Sequence, residues 1–369
     1  MGMPRPRARW LWFSSIALAF LILGVLPSWQ SSSSPAHRTI ATSSAPLAGE
    51  TSSPPLVLAS AVDGNRLACR SMHTLACRKR GMTTDPTGYV RRDVQGELIV
   101  LRELDGIVRK HPDWTQEQTY DELTRQVYRP DRRRRIQSAF LWVRKTIESI
   151  LQNQSGDAFN RYERAALFHR LRKVKLELPP PANIYADEPD LITKNGVMFE
   201  SLPSGALRIR VGGAYLSTAT SWFNLVFSMA HEFGHSIDPC ETQDAKIKIQ
   251  VYPKLVQCFA QNHIIRANTP EFVCGAHDQL SEAYADWLAS QVTRRALEEF
   301  SKEYDAHQIL MAAVNSVKDL CDQEESLDST EEIFHPAPEI RIDEIFASEP
   351  GIRSLLGCPA KPYCTFDAL

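Results

Sequence analysis

The run His231-Glu232-Phe233-Gly234-His235 lies inside an apolar, helix-like segment, Trp222 to Ile237, entered at Thr220 or Ser221 as a candidate N-cap. On a helix, residues four apart share one face, so both imidazoles can point at one metal ion. Glu232 sits one residue along, beside the position such an ion leaves open. Two nitrogen ligands and a carboxylate able to take a proton from bound water are the parts a zinc hydrolase needs. The plain alternative is a chance pentapeptide, so the weight falls on what the rest of the chain supplies.

Two later stretches supply it. Ser281-Glu282-Ala283-Tyr284-Ala285-Asp286-Trp287 belongs to a segment that reads as helix from about Asp278 to Lys302, free of Pro and Gly. Glu282 follows His235 by 47 residues, room enough for a loop and a return helix, and is the candidate third ligand. Asp286 is one turn further along the same face. A metal-bound His donates its other N–H to a carboxylate, which fixes its tautomer, and Asp286 suits that role. A solvated acidic face would look similar, but Leu280, Ala283, Ala285, Trp287, Leu288 and Ala289 make the surroundings apolar, where unpaired carboxylates are costly. Phe334-His335-Pro336-Ala337-Pro338-Glu339-Ile340-Arg341-Ile342 then places a His six residues before an Arg. These two are candidate donors to the oxyanion that forms when water adds to a carbonyl. A proline-rich helix entry is the ordinary explanation.

Together, His231 to Asp238 (His-Glu-x-x-His-x-x-Asp), Glu282 to Asp286 (Glu-x-x-x-Asp) and His335 to Arg341 (His-x5-Arg) resemble the neprilysin and endothelin-converting-enzyme family of zinc metallopeptidases. These are gluzincins, in which the third ligand is a Glu on a second helix. The resemblance covers roughly residues 180–369, including a short Cys-containing tail with Cys358 and Cys364. It implies an α+β, predominantly α-helical fold with a thermolysin-like core and a small substrate-edge sheet. It also implies one catalytic zinc on His231, His235 and Glu282, Glu232 as the base, and Asp286 orienting His231. His335 and Arg341 would stabilise the oxyanion and hold a substrate carbonyl. The chain is far shorter than members of that family, which carry a large helical cap. Their edge strand grips substrate with an Asn-Ala pair; the corresponding stretch here is taken as Leu207 to Tyr215, which alternates like a strand but has no Asn-Ala.

The N-terminus carries Arg5, Arg7 and Arg9 before the apolar run Trp10–Leu26, an export signal or a signal anchor. No small-x-small cleavage site follows at once, and a retained segment would leave the rest of the chain outside. Localisation is therefore expected to be extracytoplasmic or periplasmic, either anchored in the inner membrane by residues 10–29 or secreted. Eight cysteines agree with export and read as disulfides, with Cys240 tied to Cys258 or Cys274. A formal net charge of −2 argues against a nucleic-acid partner. The run Arg132–Arg135 is read as the solvated first turns of an amphipathic helix rather than a phosphate or lipid patch.

The expected organisation is a signal or anchor over 1–29, a Ser/Pro-rich linker over 30–60, a Cys-containing, mainly helical region over 61–178, and a zinc metallopeptidase domain over 179–369. Residues 61–90 look like a small stapled loop region. Helices are expected over Asp131–Gln152 and Ala158–Lys175, and strands around Val197–Phe199 and Leu207–Val211. Pro179-Pro180-Pro181 marks the break between the last two regions. The function expected is an exported endopeptidase acting on peptides or proteins. The alternatives are a catalytically idle, zinc-stabilised envelope scaffold and a metal hydrolase of non-peptide bonds.

Overall fold

The computed structural model describes residues 61–77, 92–153, 159–179, 189–218, 221–238, 251–265, 279–322 and 335–365. All fall within one compact unit, Ser52–Leu369, so the boundary expected at 178/179 runs through a unit rather than between two. The N-terminal apolar run, the linker, Cys240 and Cys274 lie outside the described residues. No described helix is long and apolar enough to cross a membrane.

The architecture is α+β and mostly helical. In chain order the helices are α1 (Ala61–Arg70), α2 (Met72–Ala76), α3 (Arg92–Lys110), α4 (Gln116–Val127), α5 (Pro130–Asn153), α6 (Arg161–Lys173), α7 (Gly213–Thr218), α8 (Trp222–Ser236), α9 (Val251–Gln261), α10 (Gln279–Phe300), α11 (Ala306–Ser316) and α12 (Pro350–Leu355). The strands are β1 (Val174–Glu177), β2 (Val197–Ser201) and β3 (Leu207–Val211), and residues Ile340–Phe346 wind as a π-helix.

α8 forms the centre of the core. Ser221 caps it, its side chain accepting from Asn224 N–H at 3.1 Å. Phe227, Met229, Ala230 and Phe233 are buried along it. α10 lies against α8, and their closest approach is at Gly234: a Cβ there would stand 2.8 Å from Cα of Ala285. Glycine facing alanine lets the two backbones come close, and Ala285 sits between Glu282 and Asp286. α5 covers α8 from the other side, with the rings of Phe140 and Phe233 5.0 Å apart. Arg170 of α6 donates to the carbonyl of Ser236 at 2.7 Å, satisfying one of the orphan acceptors at the C-terminal end of α8.

The sheet has the order β1-β3-β2, with β1 parallel and β2 antiparallel to β3. Helix was expected through Lys175, but α6 stops at Lys173 and the chain turns extended at Val174. Val174 and Leu176 pair with Leu207 and Ile209, and this long-range pairing overrides the local helix preference. Arg208 binds Glu177 at 2.8 Å and Glu200 at 2.6 Å, linking all three strands on one face.

Three disulfides staple the described residues: Cys69–Cys358, Cys77–Cys321 and Cys258–Cys364. Two expectations are corrected by them. Residues 61–77 are not a self-contained stapled loop but two helices fastened to the far end of the chain. Cys258 is bound to Cys364, which removes it as a partner for Cys240. Disulfides of this kind belong to an oxidising, extracytoplasmic environment. In the basic run, Arg132 donates to Val127 O at 2.9 Å, and Arg133 to Tyr128 O at 2.7 Å and Pro179 O at 2.6 Å, while Arg134 and Arg135 are exposed. Half the run ties down the α4–α5 corner and half is solvated.

Candidate metal centre

The helical spacing of His231 and His235 and the close packing of α10 bring three ligand side chains together. One ligand atom from each of His231, His235 and Glu282 lies within 4.8 Å of the others, so this group can hold a metal ion. His231 Nε2 is 3.1 Å from His235 Nε2 and 3.2 Å from Glu282 Oε2, and His235 Nε2 is 3.5 Å from Glu282 Oε1.

The opposite ring nitrogens fix the tautomers. His231 Nδ1 donates to Asp286 Oδ1 at 2.9 Å. His235 Nδ1 donates to Ser281 Oγ at 3.1 Å, and that hydroxyl donates in turn to Asp238 Oδ2 at 2.6 Å. With both Nδ1 atoms as donors, both Nε2 atoms turn inward toward Glu282, the atoms a metal ion would use once they are deprotonated. Glu282 Oε2 lies 3.2 Å from His231 Nε2 and 3.0 Å from His335 Nε2. Two imidazole nitrogens and a carboxylate oxygen converging in this way form a donor set that fits a metal of the N/O-binding kind.

The electrostatics agree. Burial disfavours charge on His231, but its contacts with Asp286 and Glu282 outweigh burial and push it up to about 10. Burial alone would also push Glu282 up, yet the imidazoles of His231 and His335 hold it well below the usual carboxylate range. For Asp286, burial is outweighed by the Arg341 guanidinium, and its carboxyl is held low. Glu282 and Asp286 thus favour positive charge on the His231 ring between them.

Glu232 reaches the sheet. Its Oε2 accepts the backbone N–H of Phe199 at 2.6 Å. Burial raises its pKa, against the pull of the two histidines. This contact corrects the placing of the edge strand. β3, expected at the edge, is the central strand with β1 and β2 on its two sides. β2 is the strand beside the site. The bonds from Gly212 N to Gly196 O and from Leu202 N to Ala206 O bracket the β2–β3 ladder. By alternation, the main-chain groups of Met198 and Glu200 face β3, while those of Val197, Phe199 and Ser201 face away from it. No described strand pairs with that outer edge.

His335 and Arg341 part company. The His335 side chain is 43% exposed and stands over Glu282, at the open side of the site. Arg341 is 1% exposed and lies behind it, its Nε and Nη2 bonded to Asp286 Oδ2 and Oδ1 at 2.5 and 2.8 Å. The guanidinium expected to hold a substrate carbonyl is bound to the carboxylate that orients His231. Ser281 is the participant that sequence reasoning passed over. Its position next to Glu282 was the available signal, since a hydroxyl one residue before a ligand on a helix can reach the neighbouring imidazole.

No family model, curated protein or solved structure matches the chain, so the class of the site rests on its own geometry: a His-His-Glu group able to hold a metal ion, with a buried carboxylate beside it.

Proposed function

We propose that the chain is a zinc-dependent endopeptidase of gluzincin type that works outside the cytoplasm. The observation that carries this reading is the convergence of His231, His235 and Glu282 with Glu232 adjacent in sequence and held at a strand edge. A purely structural site closes its fourth position and has no use for a fixed, buried carboxylate of raised pKa.

Zinc held by these three residues would supply a Lewis acid that acidifies water and polarises a carbonyl. Glu232 accepts the proton of the attacking water and passes it to the leaving amine, base first and acid second. Its raised pKa brings it nearer the range where both transfers are feasible. Asp286 and the Ser281–Asp238 pair hold the two imidazoles in the ligating tautomer. His335, on the open side, donates to the developing oxyanion. The outward edge of β2 offers Val197, Phe199 and Ser201 main-chain groups to an extended peptide, which favours a peptide substrate over other carbonyl compounds.

The test is metal content and hydrolysis of an unstructured protein by the purified exported chain, with and without chelator. Wild type should bind about one zinc per chain and cleave, and Glu232→Gln should keep the zinc while losing roughly 10²–10⁴-fold in kcat. A zinc-bound but inactive wild type would favour the scaffold reading, and an active Glu232→Gln chain would place the base elsewhere.

A further inference from the structure

The π-helix Ile340–Phe346 faces two ways. Arg341, near its start, is buried against Asp286 and through it touches His231. Asp343, two residues on, points to the other side, because residues two apart on a helix do not share a face. There its Oδ1 accepts the backbone N–H of His73 at 2.8 Å, across 270 residues of sequence. His73 is the second residue of α2, so the N–H it offers is one of those a helix start leaves unpaired. A carboxylate at that end is also favoured by the helix dipole.

α2 is a firm support for this contact. Met72 and Leu75 are buried. Cys69–Cys358 and Cys77–Cys321 bind the chain on both sides of it to segments flanking the π-helix in sequence. His73 Nε2 also lies 3.7 Å from Glu339. The hydrogen bonds of the π-helix run five residues apart, as from Ala347 N to Ile342 O, a winding that is rare and kept where function uses it.

We propose that Asp343 is a positioning residue for the metal centre. By gripping α2 it sets the π-helix, the π-helix sets Arg341, Arg341 sets Asp286, and Asp286 orients His231. The inference rests on the metal reading above but concerns residues outside the site.

The test uses the full exported chain loaded with zinc and follows the rate at which a chromophoric chelator strips it. Asp343→Ala should release zinc roughly 10-fold faster than wild type, the scale of outer partners of metal ligands. Asp343→Asn keeps an oxygen that can accept the His73 N–H and should release at close to the wild-type rate. Asp286→Ala alone should be faster still, and adding Asp343→Ala to it should change the rate by less than about 2-fold, because the route is already cut. If Asp343→Ala does not fold, the Cys77→Ser/Cys321→Ser chain loosens α2 by another way and should release zinc faster in the same sense. Wild-type release from Asp343→Ala, equal damage from Asn and Ala, an additive effect on Asp286→Ala, or unchanged release from the serine pair would each overturn the proposal. A wild-type chain that binds no zinc would instead bring down the metal reading, a distinct result.

Discussion

His231 is engaged at both ring nitrogens, by Asp286 on one side and by His235 and Glu282 on the other. That arrangement has a pH consequence. Its pKa in the metal-free fold, about 10, lies above the ordinary 6.5. The protonated imidazole therefore stabilises the metal-free fold fully below pH 6.5, and that contribution is lost as the pH rises through about 10. Metal needs the neutral ring, so binding must expel this proton. Apparent zinc affinity should climb about 10-fold per pH unit between pH 7 and pH 9, with about one proton released per ion from this residue. Titration calorimetry in buffers of different ionisation enthalpy measures both, and a flat profile would mean that His231 is already neutral. Arg341 gives a second prediction at this scale. Its removal leaves Asp286 charged and buried with the guanidinium gone, a loss of roughly 3–5 kcal/mol. Arg341→Ala should show this as a lower denaturation midpoint before any substrate is added. Full stability with impaired substrate binding would restore the role first expected for it. The pairing of His231 with His235 on one face was legible in sequence because helical spacing is local. The path of Arg341 was not, since its direction depends on a π-helix whose winding no local pattern announces.

At the scale of elements, the strand beside α8 matters most. Phe199 N–H points away from β3 and meets Glu232, so it can be deleted without touching the β2–β3 ladder. Proline does this, and an outward-facing strand position tolerates it. Phe199→Pro should keep zinc content and lower kcat by roughly 10-fold or more, while Phe199→Ala, which retains the N–H, isolates the effect of the lost ring. If Phe199→Pro and Phe199→Ala turn over alike, the bond does not hold Glu232 in a position the reaction needs. The same strand shows what periodicity leaves out. Val197–Phe199 and Leu207–Val211 both read as strands, and both are strands. Their order in the sheet was hidden, because it is fixed by β1, whose first two residues, Val174 and Lys175, a helical pattern absorbed. Val174-Lys175-Leu176-Glu177 suits either state locally, and only pairing with Leu207–Arg210 decides it. The approach of α8 to α10 was likewise outside the reach of pattern: Gly234 reads as a tolerated helix glycine until Ala285 is seen facing it.

At the scale of the molecule, the break suggested by Pro179-Pro180-Pro181 invites the idea that residues 179–369 fold by themselves as the metal-binding part. The contacts argue against it. β1 supplies one edge of the three-stranded sheet, so a chain beginning at 179 leaves β3 unpaired on that side. α5 covers the buried face of α8, and α3 packs on α7. Gly96 of α3 lies so close to Ala214 that an added Cβ would stand 2.7 Å from its carbonyl oxygen. Arg170 caps α8, and Cys321 and Cys358 have their partners in residues 61–77. Those two disulfides close spans of 244 and 289 residues, and each typically contributes about 2–5 kcal/mol. A fragment of 179–369 would thus expose the apolar faces of α7 and α8 and carry two unmatched thiols. We expect it to show no cooperative thermal transition and no stoichiometric zinc binding, whereas a chain from 61 to 369 should show both. A cooperative melt with bound zinc in the shorter fragment would mean that the helices before residue 179 are an accessory to the site rather than part of its core.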